Sequence, residues 1–182
     1  MRKVIAGIFL WSSMVSWAQF DAQISQYMFH GNAFNPAAAG ENNMIDIVGH
    51  HRIHMLGMPG GGSTTLFSVS SPISLLGKKH GIGINLTNDQ VGWFTNKSAN
   101  LQFAFKRQLA NGRLSLGVST GFVSIGFTGD SVAQHNITLG DYHSIVGDEH
   151  IPQTSIAGTG FDLNVGAFYT HKNWYAGTSI VH

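Results

Sequence analysis

A regular alternation of apolar and hydrophilic residues in the segment 94–127 constrains the fold more than any other feature of the sequence. From Ala99 to Leu109 the odd positions are mostly apolar and the even positions mostly hydrophilic. This period of two predicts a β-strand with one apolar face. Asn111 and Gly112 follow, and they predict a tight hairpin turn because both accept the positive φ that a type I′ turn requires.

The turn also predicts how the two strands of this hairpin pair. The expected pairs are Ala110 with Arg113, Leu109 with Leu114, Phe105 with Val118, Phe103 with Thr120 and Leu101 with Phe122. Each strand would have about fifteen residues, whereas strands of globular proteins usually have five or six, so these suggest a wall that crosses a bilayer. The side chains predicted to face lipid are Leu101, Phe103, Phe105, Leu114, Leu116, Val118 and Phe122.

The same alternation appears before and after this hairpin. It covers Ile82 to Thr87 and Phe161 to Thr170, and weaker candidates are Met44 to His54 and Ser63 to Ser71. A turn near Lys172 and Asn173 would place Ala176, Thr178 and Ile180 opposite Tyr169, Ala167 and Val165. Together these segments predict about seven antiparallel strands.

Composition restricts the class of protein. Only 10% of the residues are charged, whereas a soluble domain has about 25%, and 43% are hydrophobic. Beyond residue 19 no stretch reaches the ~18 apolar residues of a membrane helix, and the apolar content is too high for a disordered chain. The 10 Lys and Arg against 9 Asp and Glu exclude a large basic patch for nucleic acid. We therefore expect an all-β protein, an antiparallel transmembrane β-barrel, with a secreted β-sandwich as the alternative.

The N-terminus has the pattern of an export signal. Arg2 and Lys3 precede an apolar run from Val4 to Trp11, and Ser16-Trp17-Ala18 has small residues at the positions typical of a cleavage site. The expected organisation is a signal peptide at 1–18, a periplasmic N-terminal segment at 19–43 and an incomplete barrel at 44–182. The sequence has no cysteine, so no disulfide stabilises the exported fold.

The lengths of the connections indicate an outer-membrane barrel. The two predicted tight turns lie at one end of the strands, and the connection from Thr128 to Ala157 lies at the other end. Short periplasmic turns and long extracellular loops are typical of such barrels. Aromatic residues at both strand ends would form the interfacial girdles, namely Trp93 and Phe94 at one end and Tyr169, Trp174 and Tyr175 at the other.

Several stretches resemble the PorP/SprF family of the type IX secretion and gliding systems of Bacteroidetes. The N-terminal signature is carried by Gln26, Tyr27, Met28, Phe29, Asn35, Pro36, Ala37 and Gly40. Further matching stretches, in the same order, are Gly81–Gly83 with Asn88–Gly92, then Leu114–Val118 with Gly121 and Phe122, then Tyr175–Ser179. The chain departs from the family at His51–Met55, where an aromatic strand is usual, and in being shorter, so we expect a barrel truncated at the C-terminus.

The resemblance implies a non-enzymatic outer-membrane component without cofactors that supports export or surface anchoring of cargo. The implied partners are outer-membrane lipid, periplasmic peptidoglycan-linked secretion components, and the C-terminal domains of secreted cargo or adhesins. The alternative is a passive outer-membrane pore or transporter. The segment Gln19 to Gly40 precedes the first strand, and it is either a plug or tether that packs into the lumen or a periplasmic contact surface with Tyr27, Met28 and Phe29 as apolar anchors. The sequence leaves both interpretations open.

Other candidate sites are weaker. His50 and His54 share one face of a predicted strand, but two imidazoles without a third ligand make a poor metal site. The acidic connection 128–157 could collect divalent cations, although plain solvation explains it as well. The glycine-rich stretch 57–64 has no lysine to reach a phosphate, and no spacing of serine and histidine marks a nucleophile with its base. We therefore expect no catalytic, cofactor or metal site.

Overall fold

The computed structural model describes residues 24, 26–58, 61–75, 77–128 and 154–181. It is an all-β structure, preceded by three short helical turns at Tyr27–Phe29, Gly31–Phe34 and Pro36–Ala38. Its seven strands are β1 (Asp46–Ile53), β2 (Ser63–Leu75), β3 (Lys78–Val91), β4 (Phe94–Leu109), β5 (Gly112–Phe127), β6 (Ile156–His171) and β7 (Tyr175–Ile180). The predicted signal peptide at 1–18 and most of the connection 128–157 lie outside the described residues.

The seven strands form one antiparallel sheet in sequence order, curved into a half-barrel. This confirms the predicted all-β fold with each strand paired to the next. β4, β5 and β6 each have 16 residues, far above the usual five or six. Among the residues that the structure describes, no helix is long and apolar enough to cross a membrane.

In a soluble protein the exposed face of a sheet is polar and the buried face is apolar. In this sheet the exposed face is apolar and the buried face is polar. We call the face that contacts the N-terminal segment the inner face and the other the outer face. The seven side chains predicted to face lipid all lie on the outer face, where six are exposed and Leu114, opposite Tyr169, is half-buried. Side chains of the inner face are mostly polar and buried, among them Thr64, Ser68, Ser70, Asn85, Asp89, Gln102, Lys106, Ser115, Ser119, Asp162 and Asn164.

The register predicted for the hairpin of β4 and β5 is wrong by two residues. Leu109 pairs with Gly112, so the centre of the turn is Ala110 and Asn111, and Ala110 has a φ of 51°. Gly112 is used for close approach instead, because an added Cβ would lie 2.5 Å from the Tyr169 hydroxyl. That hydroxyl donates to the Leu109 carbonyl at 3.3 Å.

The corrected pairs in this hairpin are Arg107 with Leu114, Phe105 with Leu116, Phe103 with Val118 and Leu101 with Thr120. A slip of one residue would exchange the two faces, but a slip of two moves each side chain along its own face. The residues predicted to share one face do share it, although the predicted pairs are wrong, and the contact of that face with lipid stays a prediction.

The other predicted turn is confirmed in full. Ala176, Thr178 and Ile180 pair with Tyr169, Ala167 and Val165. β2 is longer than predicted and continues through Pro72 to Leu75. Proline is tolerated there because β1 pairs with β2 only as far as Ser70, so Pro72 has a paired strand on one side only.

The connections fall at two ends of the sheet. The turns around residues 77, 110–111 and 172–174 share one end with the start of β1, and we call it the turn end. The connections at 54–62, 92–93 and 128–155 share the opposite end, which we call the loop end. Aromatic residues lie at both, with Tyr169 and Trp174 rings 5.3 Å apart at the turn end and Phe94 and Phe127 rings 5.0 Å apart at the loop end.

Candidate functional site

The N-terminal segment divides into two parts with opposite surroundings. Residues 31–41, which we call the plug, lie on the inner face and include the buried Asn35, Pro36, Ala37 and Gly40. Residues 26–29, which we call the arm, carry side chains that are exposed. The two sequence interpretations of this segment thus apply to different residues, and partner binding by either part stays a prediction.

The plug rests on a row of residues with little or no side chain. Gly81, Ala104, Gly117 and Gly166 are successive cross-strand neighbours on β3, β4, β5 and β6, and we call this row the seat. All four point to the inner face, because they alternate with the exposed residues of the outer face. The row therefore forms a shallow channel across four strands into which another stretch of backbone can fit.

The plug backbone approaches the seat so closely that no side chain would fit between them. A Cβ added to Gly117 would lie 2.1 Å from the Ala37 nitrogen, and one added to Gly81 would lie 1.9 Å from the Ala39 oxygen. A Cβ on Gly166 would lie 2.1 Å from Asn35 Oδ1. Such distances require the plug to move, so glycine at these positions is what permits its closeness.

Asn35 fixes the start of the contact. Its side-chain oxygen accepts a hydrogen bond from the Ala37 backbone N–H at 2.9 Å, capping the helical turn that begins at Pro36. Its side-chain nitrogen donates to the Ala167 carbonyl on β6 at 3.1 Å and to the Thr178 carbonyl on β7 at 3.2 Å. One buried amide therefore shapes the plug and ties it to two strands.

Glu41 fixes the end of the plug. Its carboxylate pairs with Lys106 on β4 at 3.3 Å and with Arg113 on β5, and it accepts a hydrogen bond from Thr170 on β6 at 2.7 Å. Arg113 also donates to the Glu41 backbone carbonyl at 3.0 Å. Burial alone would raise the pKa of Glu41, but the bonds from Thr170 and Arg113 and the two positive charges outweigh it and lower the pKa.

His30 and Asn32 hold the beginning of the plug against β1, β3 and β4. The Asn32 carbonyl accepts from Asn85 at 2.9 Å and from Gln102 at 2.6 Å. His30 is only 2% exposed, and its ring lies edge-on to His50 with centroids 5.5 Å apart. Burial, together with the neighbouring His50, lowers the pKa of His30, so the neutral ring is favoured.

The arm lies at the turn end and is the most exposed apolar part of the N-terminal segment. Tyr27, Met28 and Phe29 are 63%, 69% and 65% exposed. With Tyr175 of β7 they border an open cavity of about 710 Å³ between the plug and the inner face. Three consecutive large apolar side chains are thus presented at one end of the sheet, next to residues that are firmly held.

On the side of the plug toward the loop end, a small, partly open cavity of about 110 Å³ lies between a polar wall of the inner face and apolar residues such as Ile24, Phe34 and Pro36, and we call it the polar chamber after that wall. Its lining includes Asn85, Asn100, Gln102, Ser119 and Asp162. The Asp162 carboxylate is 1% exposed and accepts from the side chains of Asn100 and Asn164, both at 3.0 Å. Asn100 reaches Asp162 across Gly121, where a Cβ would lie 2.0 Å from Asn100 Oδ1.

His50 and His51 of β1 and His54, which directly follows it, do not converge on one point. His51 bonds Thr65 at 2.8 Å on the outer face, and His54 bonds Thr64 at 2.9 Å. Within the described ranges, no group of three or more His, Cys, Asp or Glu could hold a metal ion. The acidic residues of the connection 128–157 lie outside those ranges.

Sequence reasoning did not identify Glu41, Lys106 or the seat. The alternation of residues placed Lys106 on the hydrophilic face of β4, which is the inner face. A single lysine on a buried polar face indicates that an acidic side chain lies beside it. The seat had no such signal, because four small residues align only once the registers of three strand pairs are known.

A family model described as type IX secretion system membrane protein PorP/SprF matches residues 16–182. The match covers the plug, the arm and all seven strands. No curated protein and no solved structure matches the chain.

Proposed function

The chain belongs to the PorP/SprF family of type IX secretion system membrane proteins, and we propose that it works in the outer membrane, where it supports export or surface anchoring of cargo proteins. The observation that carries this proposal is the exposed arm next to the buried plug. A membrane component of a secretion system must contact other components, and large exposed apolar side chains are typical anchors of protein interfaces. The proposed role is one of binding and positioning, without enzymatic activity.

The chemistry of the sheet supports the location in the outer membrane. Its outer face is apolar, its inner face is polar, and aromatic residues lie at both ends, as in outer-membrane proteins that cross with strands. The export signal proposed for residues 1–18 would deliver the chain across the inner membrane. Outer-membrane lipid is therefore the proposed partner of the outer face.

The position of the arm suggests which compartment its partner occupies. The arm lies with the tight turns at the turn end, and short turns face the periplasm in outer-membrane barrels. We therefore infer that the arm contacts a periplasmic, peptidoglycan-linked secretion component. The C-terminal domains of secreted cargo or adhesins would be handled from the same assembly.

The proposal is tested by removing the arm's aromatic side chains. We expect Tyr27→Ala/Phe29→Ala to leave the folded fraction unchanged, because both residues are exposed, and to reduce cargo secretion and surface display. A buried aromatic anchor is worth on the order of 2 kcal/mol, which is about thirtyfold in affinity. Leu56→Ala/Met58→Ala, which removes two exposed apolar side chains at the loop end, is the matched control. Normal secretion in the arm variant would contradict the proposal.

The orientation is tested separately with epitope insertions at the two ends of the sheet. Gly57 lies in the loop-end connection with nothing within 4 Å of an added Cβ, so an insertion there should be tolerated. We expect antibody to bind this epitope on intact cells, and to bind an epitope between Lys172 and Asn173 only after permeabilisation. The reverse pattern would place the arm outside the cell and exclude a periplasmic partner.

A further inference from the structure

We propose that the inner face forms a hydrophilic passage for small cations, closed by the plug and opened when the plug leaves its seat. This function is distinct from the support of secretion proposed above and does not depend on it. Three observations carry it: the chemistry of the polar chamber, the way the plug contacts the seat, and the distribution of charge along the inner face.

One wall of the polar chamber suits a hydrated solute, while apolar residues such as Ile24, Phe34 and Leu66 make up the larger part of its lining. Amides, hydroxyls and a carboxylate dominate the wall that β3 to β6 contribute to its lining. A volume of about 110 Å³ is several times what one water molecule requires. The side-chain oxygens of Asn100, Gln102 and Ser119 have no hydrogen-bond partner within the described structure. Unpaired buried oxygens are costly unless water or an ion satisfies them, so this wall is built for hydrated contents.

The plug separates this chamber from the open cavity at the turn end. It crosses β6, β5, β4 and β3 along the seat, from Asn35 at Gly166 to Ala39 at Gly81. Because the glycines allow backbone to lie directly on backbone, the seated plug leaves no space for a solute along this row. Along these four strands, closure therefore depends on the plug's position and needs no change in the strands.

The plug is held in a way that permits release. Where it crosses the seat, its contacts are mainly van der Waals contacts between small groups, and each of these is weak. Its polar contacts with the strands are concentrated at Asn32, Asn35 and Glu41, at or beyond the ends of the stretch that lies on the seat. The Glu41 pairs with Lys106 and Arg113 form a latch at the turn end, beside the arm. Force applied through the arm would thus act close to both the latch and the plug.

The charges favour cations. Asp89 and Asp162 are buried on the inner face toward the loop end, and Asp162 lines the chamber directly. The cations Lys106 and Arg113 lie toward the turn end, and both are paired with Glu41. A solute in the chamber therefore meets carboxylate and carbonyl oxygens, which suit alkali or small organic cations rather than anions.

The decisive experiment locks the plug with a disulfide. A Cβ added to Gly83 would lie 3.4 Å from the Ala39 Cβ, close to the separation in natural disulfides, and the sequence has no other cysteine. The Gly83→Cys side chain requires the end of the Gln102 side chain to shift, from an Oε1 distance of 2.8 Å, and the Val69 backbone oxygen, at 3.3 Å, to move slightly. Ala39→Cys/Gly83→Cys in the full chain should therefore form the bond on oxidation.

Conductance is then measured in planar bilayers with a potassium chloride gradient. We expect the reduced double variant to show opening events that oxidation abolishes and reductant restores, while Ala39→Cys and Gly83→Cys singly do not respond. Glu41→Gln should raise the open fraction by about tenfold or more, the effect of losing one charge-assisted hydrogen bond. Heat-modifiable gel mobility verifies that each variant is folded.

A second experiment measures the ion selectivity of the passage. Asp162→Asn keeps the shape of the side chain and should lower the ratio of cation to anion permeability, read from the reversal potential. Lys97→Gln, which removes an exposed charge that lines neither the chamber nor the cavity at the turn end, should leave the ratio unchanged. Folded protein without conductance in both the reduced double variant and Glu41→Gln would overturn the passage. Conductance insensitive to a disulfide verified by thiol labelling, or failure of the disulfide to form, would overturn the plug as its closure.

Discussion

The inner and outer faces of the sheet share the same strands but obey opposite rules. On the outer face large apolar side chains such as Val118 and Phe122 are exposed, and on the inner face Ser119, Asp162 and Lys106 are buried. In water, the exposed apolar side chains would forgo the favourable free energy of burial. The buried polar side chains would forgo their hydrogen bonds with the solvent. The difference fits the two surroundings that we propose for the faces: lipid outside, and inside a polar interior that the N-terminal segment partly fills.

A charge placed on the outer face is the strongest test of the difference between the two faces. Val118 lies near the middle of β5, and Val118→Arg should cost about 2–4 kcal/mol, the range for arginine at a bilayer midplane. Leu109→Arg, on the same face at the strand end, should cost only about 0–1 kcal/mol. Urea titrations in lipid vesicles, followed by heat-modifiable mobility, measure both. Equal costs would mean that the outer face does not follow membrane depth.

The inner face is tested by adding one methyl group to the seat. Gly117→Ala should destabilise the folded protein by about 1–3 kcal/mol, because the Cβ would collide with the Ala37 nitrogen. Gly158→Ala on β6 is the control, since nothing lies within 4 Å of the added atom. Thermal unfolding in detergent compares the two. An unaffected Gly117→Ala protein would show that the plug does not rest where the structure has it.

A smaller effect should come from the plug's side-chain anchor. Asn35→Ala removes the cap of the turn at Pro36 and the donors to β6 and β7, and should cost about 1–2 kcal/mol. Asn42→Ala, which loses one exposed hydrogen bond to Asp46, should change stability by less than about 0.5 kcal/mol. Chemical denaturation distinguishes the two amides, and a reversed order would refute the anchoring role.

The stability of the folded protein should fall gradually as the pH is lowered from 7 to 3. His30 has its pKa lowered below the ordinary 6.5, so the unfolded chain takes up a proton first and stability falls as pH drops below 6.5. Glu41 has its pKa lowered below 4.5, so its contribution is present above 4.5 and is lost as pH falls through the lowered value. Melting temperatures of the natural protein and Glu41→Gln between pH 7 and 3 test this. Identical profiles below pH 4.5 would exclude Glu41.

The strands and their faces could be predicted because lipid imposes a period of two on long segments. The turn near Lys172 and Asn173 gave the correct register for β6 and β7. The turn predicted at Asn111 and Gly112 gave the wrong register for β4 and β5. Gly112 lies against the Tyr169 side chain, and the residue with the positive φ is Ala110. A local preference was overridden there by a contact between residues far apart in sequence.

The plug could be suspected from the sequence but not placed. Its closest contacts with the seat are made mainly by backbone atoms against glycine, and such contacts leave no complementary pattern of side chains in the sequence. The stretches that carry the family resemblance are nevertheless the ones that meet. Gly81, Gly117 and Gly177, from three of these stretches, each approach residues of the Asn35–Gly40 stretch. The motifs describe two sides of one contact.

The seat also makes docking of the plug depend on the alignment of the strands. Its four residues come from four different strands, and the Asn35 side chain bonds Ala167, 132 positions later in the chain. The N-terminal segment is made first but can dock only after those strands have paired, since contacts so distant in sequence form late. A hairpin displaced by two residues would put Ser115 or Ser119 in the place of Gly117 and refuse the plug. We therefore expect the plug to dock only on a sheet whose strands are correctly aligned.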